Sequence, residues 1–125
     1  MKTLIIDAAN EKIFFSIIEK TQSYTTSYPN SRENFDKFLI LLNKFLSKKQ
    51  TNIDEINQIF INQGPGKFSS LRIAIAIAKG ISLSRQIKLF GFRSMDVSKN
   101  DYKKVLKLDK KKLSINNLIK PYYSS

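Results

Sequence analysis

Cysteine and histidine are both absent from this 125-residue chain. Without cysteine there is no disulfide framework, no thiolate zinc site and no cysteine nucleophile. Without histidine the usual general base and the commonest metal ligand are missing. Serine–histidine and cysteine–histidine hydrolase chemistry are therefore excluded, and only carboxylates, lysines, hydroxyls and backbone amides remain. Acidic residues are scarce as well: 10 Asp and Glu face 22 Lys and Arg, a net charge of +12. The excess is densest in residues 101–125, which hold seven lysines and two aspartates. Such a surplus attracts polyanions such as RNA, or an acidic protein. The preponderance of lysine, 18 against 4 arginines, is equally what a compositional bias in coding DNA leaves on a solvated surface. No apolar run approaches the ~20 residues of a membrane span. The start, Met1 to Asp7, is too short an apolar run for a signal peptide. The chain reads as cytoplasmic, with no membrane partner, and its length suits one domain.

Thr3–Asp7 is a short apolar run that reads as a buried strand. Lys12–Glu19 and Gln22–Tyr28, rich in β-branched and aromatic residues, read as two further strands in successive hairpins. Pro29-Asn30 ends the third and opens a helix to about Lys48, with Asn30 as the expected cap for the amide of Glu33. Phe35, Leu39, Leu42 and Leu46 recur at helical spacing. Phe38, Leu41 and Phe45 widen the stripe to about 160°, more than one sheet contact needs. Thr51–Glu55 is a connector and Gln58–Asn62 a fourth strand. After a glycine-proline loop at 63–70, Ile73-Ala74-Ile75-Ala76-Ile77-Ala78 alternates with the period of a strand. Its alanines, its length and the possible caps Ser69 and Ser70 make it a helix to about Arg85. This helix is apolar on two faces: Ile73, Ile77 and Ile81 on one, Phe68, Leu71, Ile75 and Ala78 on the other, with Arg72 and Lys79 between. Ile87–Phe92 is the last strand. The order β-β-β-α-β-α-β implies a mixed five-stranded sheet with covering helices, an α/β class. It is the order of an actin-like or ribonuclease H-like domain, here spanning 1–98, with a basic tail at 99–125.

The loop Gly64-Pro65-Gly66-Lys67-Phe68-Ser69-Ser70 invites comparison with a phosphate-binding loop. That motif needs glycine, four residues, then Gly-Lys-Ser/Thr. Here Phe68 follows Gly66-Lys67 and Ile61 stands where the first glycine belongs. A tight turn, or a contact made by the exposed loop, are the readings left. Asp7 could hold a metal or cap a loop. Two-metal nuclease chemistry needs several converging carboxylates, and no other acid falls inside a strand beside it. Arg72 and Lys79, two turns apart on one helix face, form either a solvated strip or the rim of an interface.

Gly64-Pro65-Gly66-Lys67-Phe68-Ser69-Ser70-Leu71-Arg72-Ile73, followed by Ala78-Lys79-Gly80, resembles the Gly-Pro-Gly-Ser-Phe-Thr-Gly-Leu-Arg-Ile…Ala-Lys-Gly signature of the TsaB (YeaZ-like) family of bacterial tRNA threonylcarbamoyladenosine biosynthesis. Leu4-Ile5-Ile6-Asp7-Ala8-Ala9 is similar to that family's first strand with its Asp-Thr-Ser turn, and Gly91-Phe92-Arg93-Ser94-Met95 to its Gly-Val-Ser-Ser-Leu. The resemblance covers about residues 1–98. It departs from the family at Lys67, Ser70 and Ala8-Ala9, at the family's histidine before the first long helix, and in a second domain that is reduced here to the tail.

The resemblance implies a non-catalytic scaffold, without cofactor or metal, that pairs with the catalytic homologue TsaD through the helices at about 31–48 and 69–85. The expected partner-binding residues are Phe38, Leu41 and Phe45 on the first, and Leu71, Arg72, Ile75, Ala76, Lys79 and Gly80 on the second. It also implies contact with tRNA indirectly through the complex; the surplus apolar faces of the two helices, for their part, predict a homodimer when the chain is alone. The residues leave two other readings open: a small basic RNA-binding module, and a divergent nuclease or ATPase of the same fold.

Overall fold

The strands follow from β-branched and aromatic runs bounded by short turns, and their alternation decides which face each side chain joins. A computed structural model describes residues 1–98 and 101–123. The strands are β1 (Lys2–Asp7), β2 (Lys12–Glu19), β3 (Gln22–Pro29), β4 (Gln58–Asn62) and β5 (Lys88–Phe92). They form one mixed sheet in the order β3-β2-β1-β4-β5. The hairpin-linked β1, β2 and β3 pair antiparallel, while β1–β4 and β4–β5 pair parallel. The α/β class, the mixed five-stranded sheet and the order of the strands along the chain are those expected from the sequence; the order across the sheet comes from the structure.

One face of the sheet carries Leu4, Ile6, Ile13, Phe15, Ile17, Ile59, Ile61 and Leu89, packed against the helices. The opposite face carries Ile5, Ile18, Phe60, Phe90 and Phe92. The helical layer consists of α1 (Arg32–Asp36), α2 (Phe38–Lys48) and α3 (Phe68–Arg85). The single helix expected over 30–48 is thus broken at Lys37. Its cap is Ser31, whose hydroxyl accepts the Asn34 amide at 3.3 Å. Asn30 is not the cap: its side-chain amide donates instead to Ala8 O, Asn10 O and Ser70 Oγ, tying the first turn to α3. Restarting the helix at Phe38 sets its buried arc at Phe38, Leu41, Leu42, Phe45 and Leu46, and leaves Leu39 exposed. Ser69 and Ser70 do not cap α3, which has Lys67 at its N-cap position. Ser70 Oγ donates to Ala8 O at 2.9 Å.

The tail supplies the second layer. It runs in 3₁₀ turns at Tyr102–Lys107, Lys110–Lys112 and Asn116–Leu118. Tyr102 and Val105 are buried on the non-helical face of the sheet, with Leu106, Leu108 and Leu113 packed around them. Ile119 joins the helical core. The boundary expected between 98 and 99 adjoins residues 99 and 100, outside the described residues. From Asp101 to Tyr123 the tail is part of the same packed body.

Candidate functional site

Parallel strands end at the top of β1, β4 and β5, where ligands commonly bind in open α/β sheets. Asp7 closes β1 there, with Asn62 at the end of β4 and Ser94 just beyond β5. Asp7 is buried, and both its oxygens accept hydrogen bonds. Its Oδ1 accepts the Ala9 amide at 3.2 Å and the Asn62 side-chain amide at 3.0 Å, and its Oδ2 accepts the Tyr102 hydroxyl at 2.7 Å. Burial pushes the Asp7 carboxyl above its ordinary range, while the bonds from Tyr102, Ala9 and Asn62 pull it back down. Tyr102 is raised in turn, by burial first and then by the Asp7 charge. Its ring is held between Phe14 and Phe92, with centroids 5.7 Å and 6.5 Å away. The tail thus sets a phenol hydroxyl against the Asp7 carboxylate. Among the described residues no three acids or other metal-ligating side chains cluster.

The glycine loop turns its amides inward. The Gly64 amide donates to Asn62 Oδ1 at 2.7 Å, that of Gly66 to Tyr122 O at 3.2 Å and that of Lys67 to Ala9 O at 3.0 Å. Gly64 has φ of +103°, which a side chain rarely tolerates. A Cβ on Gly66 would run into the Ala9 backbone. Both glycines are there to let chain segments cross, and the loop reads as the tight turn. Lys67 reaches out to Glu11, 3.4 Å away.

The expected partner-binding residues divide. Phe38, Leu41, Phe45, Leu71 and Ile75 lie in the core under the sheet. They do not form a surface, because the sheet takes up most of the broad apolar arc that the two helices offer, leaving Leu39 of α2 and Phe68 of α3 outside it. Arg72, Ala76 and Gly80 are exposed, and Lys79 is half-buried. They form one strip along the outer side of α3. A Cβ on Gly80 would meet nothing within 4 Å. The strip ends in a groove of about 680 Å³ lined by Lys79, Gly80, Leu83, Ile87 and Lys88. Leu83, 85% exposed, stands beside the groove, and Phe68 on α3 and Leu39 and Ile40 on α2 are further exposed apolar residues outside the expected partner-binding set. Leu83 follows from continuing the Ala76–Gly80 spacing by three residues. Leu39 was legible only as part of the buried stripe.

Comparison with known proteins bears on this arrangement. The family described as "TsaD: tRNA N6-adenosine threonylcarbamoyltransferase" matches residues 11–102. The tRNA threonylcarbamoyladenosine biosynthesis protein TsaB of Buchnera aphidicola (subsp. Schizaphis graminum) is 30% identical over 94 residues, 75% of this chain and 45% of that protein. The chain belongs to the TsaD/TsaB (YeaZ-like) family. The solved structure of YeaZ from Pseudomonas aeruginosa superposes with a TM-score of 0.70 at 18% identity, over 76% of this chain and 45% of that one. RuvC of Thermus thermophilus, solved with a Holliday junction substrate, shares the fold at a TM-score of 0.50 and 8% identity, over 77% of this chain and 66% of that one. The fold is thus actin-like or ribonuclease H-like, as expected from the element order. The chain spans less than half the length of the TsaB relatives it matches. No helix among the described residues is long and apolar enough to cross a membrane.

Proposed function

We propose that this chain is a non-catalytic subunit of tRNA threonylcarbamoyladenosine modification, acting in the cytoplasm by pairing with a TsaD-like catalytic homologue. The observation that carries this reading is the outer strip of α3. Ala76 and Gly80 are small and exposed, Arg72 and Lys79 edge them, and Leu83 stands out beside the groove at their end. Small side chains let a second backbone approach closely, and an exposed apolar residue next to them gives the contact its hydrophobic part. A non-catalytic role is supported by the state of Asp7, whose two oxygens are both engaged by the chain's own Tyr102, Asn62 and Ala9. When the catalytic homologue is absent, the same face pairs with a second copy of the chain, and tRNA is met through the complex.

Co-purification with the TsaD-like homologue of the same source, followed by size measurement, tests the pairing. A complex of the two chains is expected, and Gly80→Leu is expected to weaken it at least tenfold. Because Gly80 faces open space and leucine is the better helix former, that variant should melt at or somewhat above the wild-type temperature. Two chains that elute separately, or a Gly80→Leu chain that pairs as tightly as the wild type, would show that α3 does not carry the contact.

A further inference from the structure

The tail has a second, outward face. Tyr102 and Val105 point into the sheet, with Leu106, Leu108 and Leu113 half-buried beside them. The intervening Lys103, Lys104, Lys107, Lys110, Lys111 and Lys112 are all exposed. Among the described residues none of the six forms an ion pair, whereas Lys2, Arg32, Lys37, Lys67 and Arg85 each have an acidic partner. Lys110 donates to Gln58 Oε1 at 2.8 Å and Lys104 to Ser98 Oγ at 2.9 Å. Among the described residues the side chains of the other four have no such tether. The acids of the segment offset the strip only in part: exposed Asp109, whose carboxylate accepts the Lys111 amide at 3.1 Å, and Asp101 before it set two negative charges against six positive ones.

At its far end the strip meets an aromatic platform. Lys112, Arg93 and Tyr122 line one polar cavity of about 350 Å³, together with Asp96 and Asp109. The Arg93 guanidinium lies 3.7 Å from the centre of the Tyr122 ring, and Tyr122 remains 38% exposed. The two carboxylates oppose a phosphate in the cavity itself but not an uncharged base.

From this arrangement we propose that the face formed by residues 103–112 binds the phosphodiester backbone of RNA, with Arg93 and Tyr122 offering a stacking surface to an adjacent base. A run of cations that tracks a backbone, ending at an exposed aromatic ring, is how proteins hold nucleic acid without reading its sequence. An acidic protein is the poorer fit. Protein interfaces are depleted of lysine and need an apolar centre, and the tail turns its apolar side chains inward. RNA binding by the chain alone stands independently of the pairing proposed above.

The test uses the full chain, fluorescently labelled unfractionated tRNA and no partner. Wild type is compared with a chain in which Lys103, Lys104, Lys107, Lys111 and Lys112 are replaced by Gln. A charge-matched control replaces Lys12, Lys20, Lys44, Lys48 and Lys49, which are exposed elsewhere. The tail variant is expected to lose about tenfold or more in affinity at low salt, and its log–log salt slope to fall by about 3, since each phosphate contact releases counterions. The control should lose much less. On the wild-type chain, bound tRNA should protect the tail lysines from chemical acetylation in preference to the others, a measurement that needs no variant to fold. Equal losses in both variants, or uniform protection, would reduce the effect to overall charge and overturn the proposal. So would polyglutamate displacing the tRNA at equal charge concentration, which would point to an acidic protein, or no tRNA binding by the wild type.

Discussion

Asp7 and Tyr102 are 95 residues apart in the chain and 2.7 Å apart in the fold. A carboxylate buried in this way is costly when ionised, and each donor offsets part of that cost. The sign of its pH dependence follows. The folded value lies above the ordinary 3.8. Asp7 therefore contributes stability that is complete below the unfolded value and lost as the pH rises through the folded one. Asp7→Asn should flatten this part of the stability–pH profile. Tyr102→Phe keeps the ring packing and removes one donor to the charged form, so it should destabilise by about 2 kcal/mol at neutral pH and by less as the pH falls and Asp7 protonates. Urea denaturation across the acid range reads both effects. A Tyr102→Phe cost that does not vary with pH would show that the hydroxyl does not bear on the Asp7 charge. The sequence marked Asp7 as a strand-end acid with several possible uses, but nothing local could reveal that a tyrosine of the tail would occupy it.

The loop from β4 to α3 and the helix it feeds have different tolerances for the same substitution. Gly66 lies against the Ala9 backbone, where no side chain fits, whereas Gly80 faces open space. Gly66→Ala should destabilise by about 3 kcal/mol, through displacement of the β1–β2 turn. Gly80→Ala should stabilise by up to about 1 kcal/mol, since alanine is the better helix former. Denaturation midpoints of the two variants check the contrast, and a neutral Gly66→Ala would mean that the loop and the turn do not touch. The existence of α3 was legible because its alanines outweighed a strand-like alternation. The break at Lys37 was not, because Arg32 to Lys48 reads locally as one continuous helix.

The molecule carries a charge of +12 together with exposed apolar residues on its helical side. These act in opposite directions on self-association. The apolar side chains favour a symmetric pair through the outer face of the helices, and like charge opposes it until salt screens the repulsion. The isolated chain should therefore form a dimer in light scattering at high micromolar concentration, with a dimer fraction that rises with salt. A monomer at every salt concentration would show that these residues are scattered rather than a contact face.

Strand number and type, the element order and the family signature in the loop were determined by the sequence itself. Each rests on short-range preferences: β-branched runs, turn residues, helix formers and a motif of adjacent residues. Which arc of each helix is buried, which of Phe38, Leu41, Phe45, Leu71 and Ile75 are core rather than surface, and what fills the place beside Asp7 were decided only in the tertiary structure. Periodicity shows that a helix has an apolar side, but the width of that side which a five-stranded sheet covers depends on how many strands lie beneath it. The tail shows the same limit. Its lysines and apolar residues alternate visibly in the sequence, but only the uncovered face of Ile5, Phe60, Phe90 and Phe92 decides that Tyr102 and Val105 turn inward and the lysines outward.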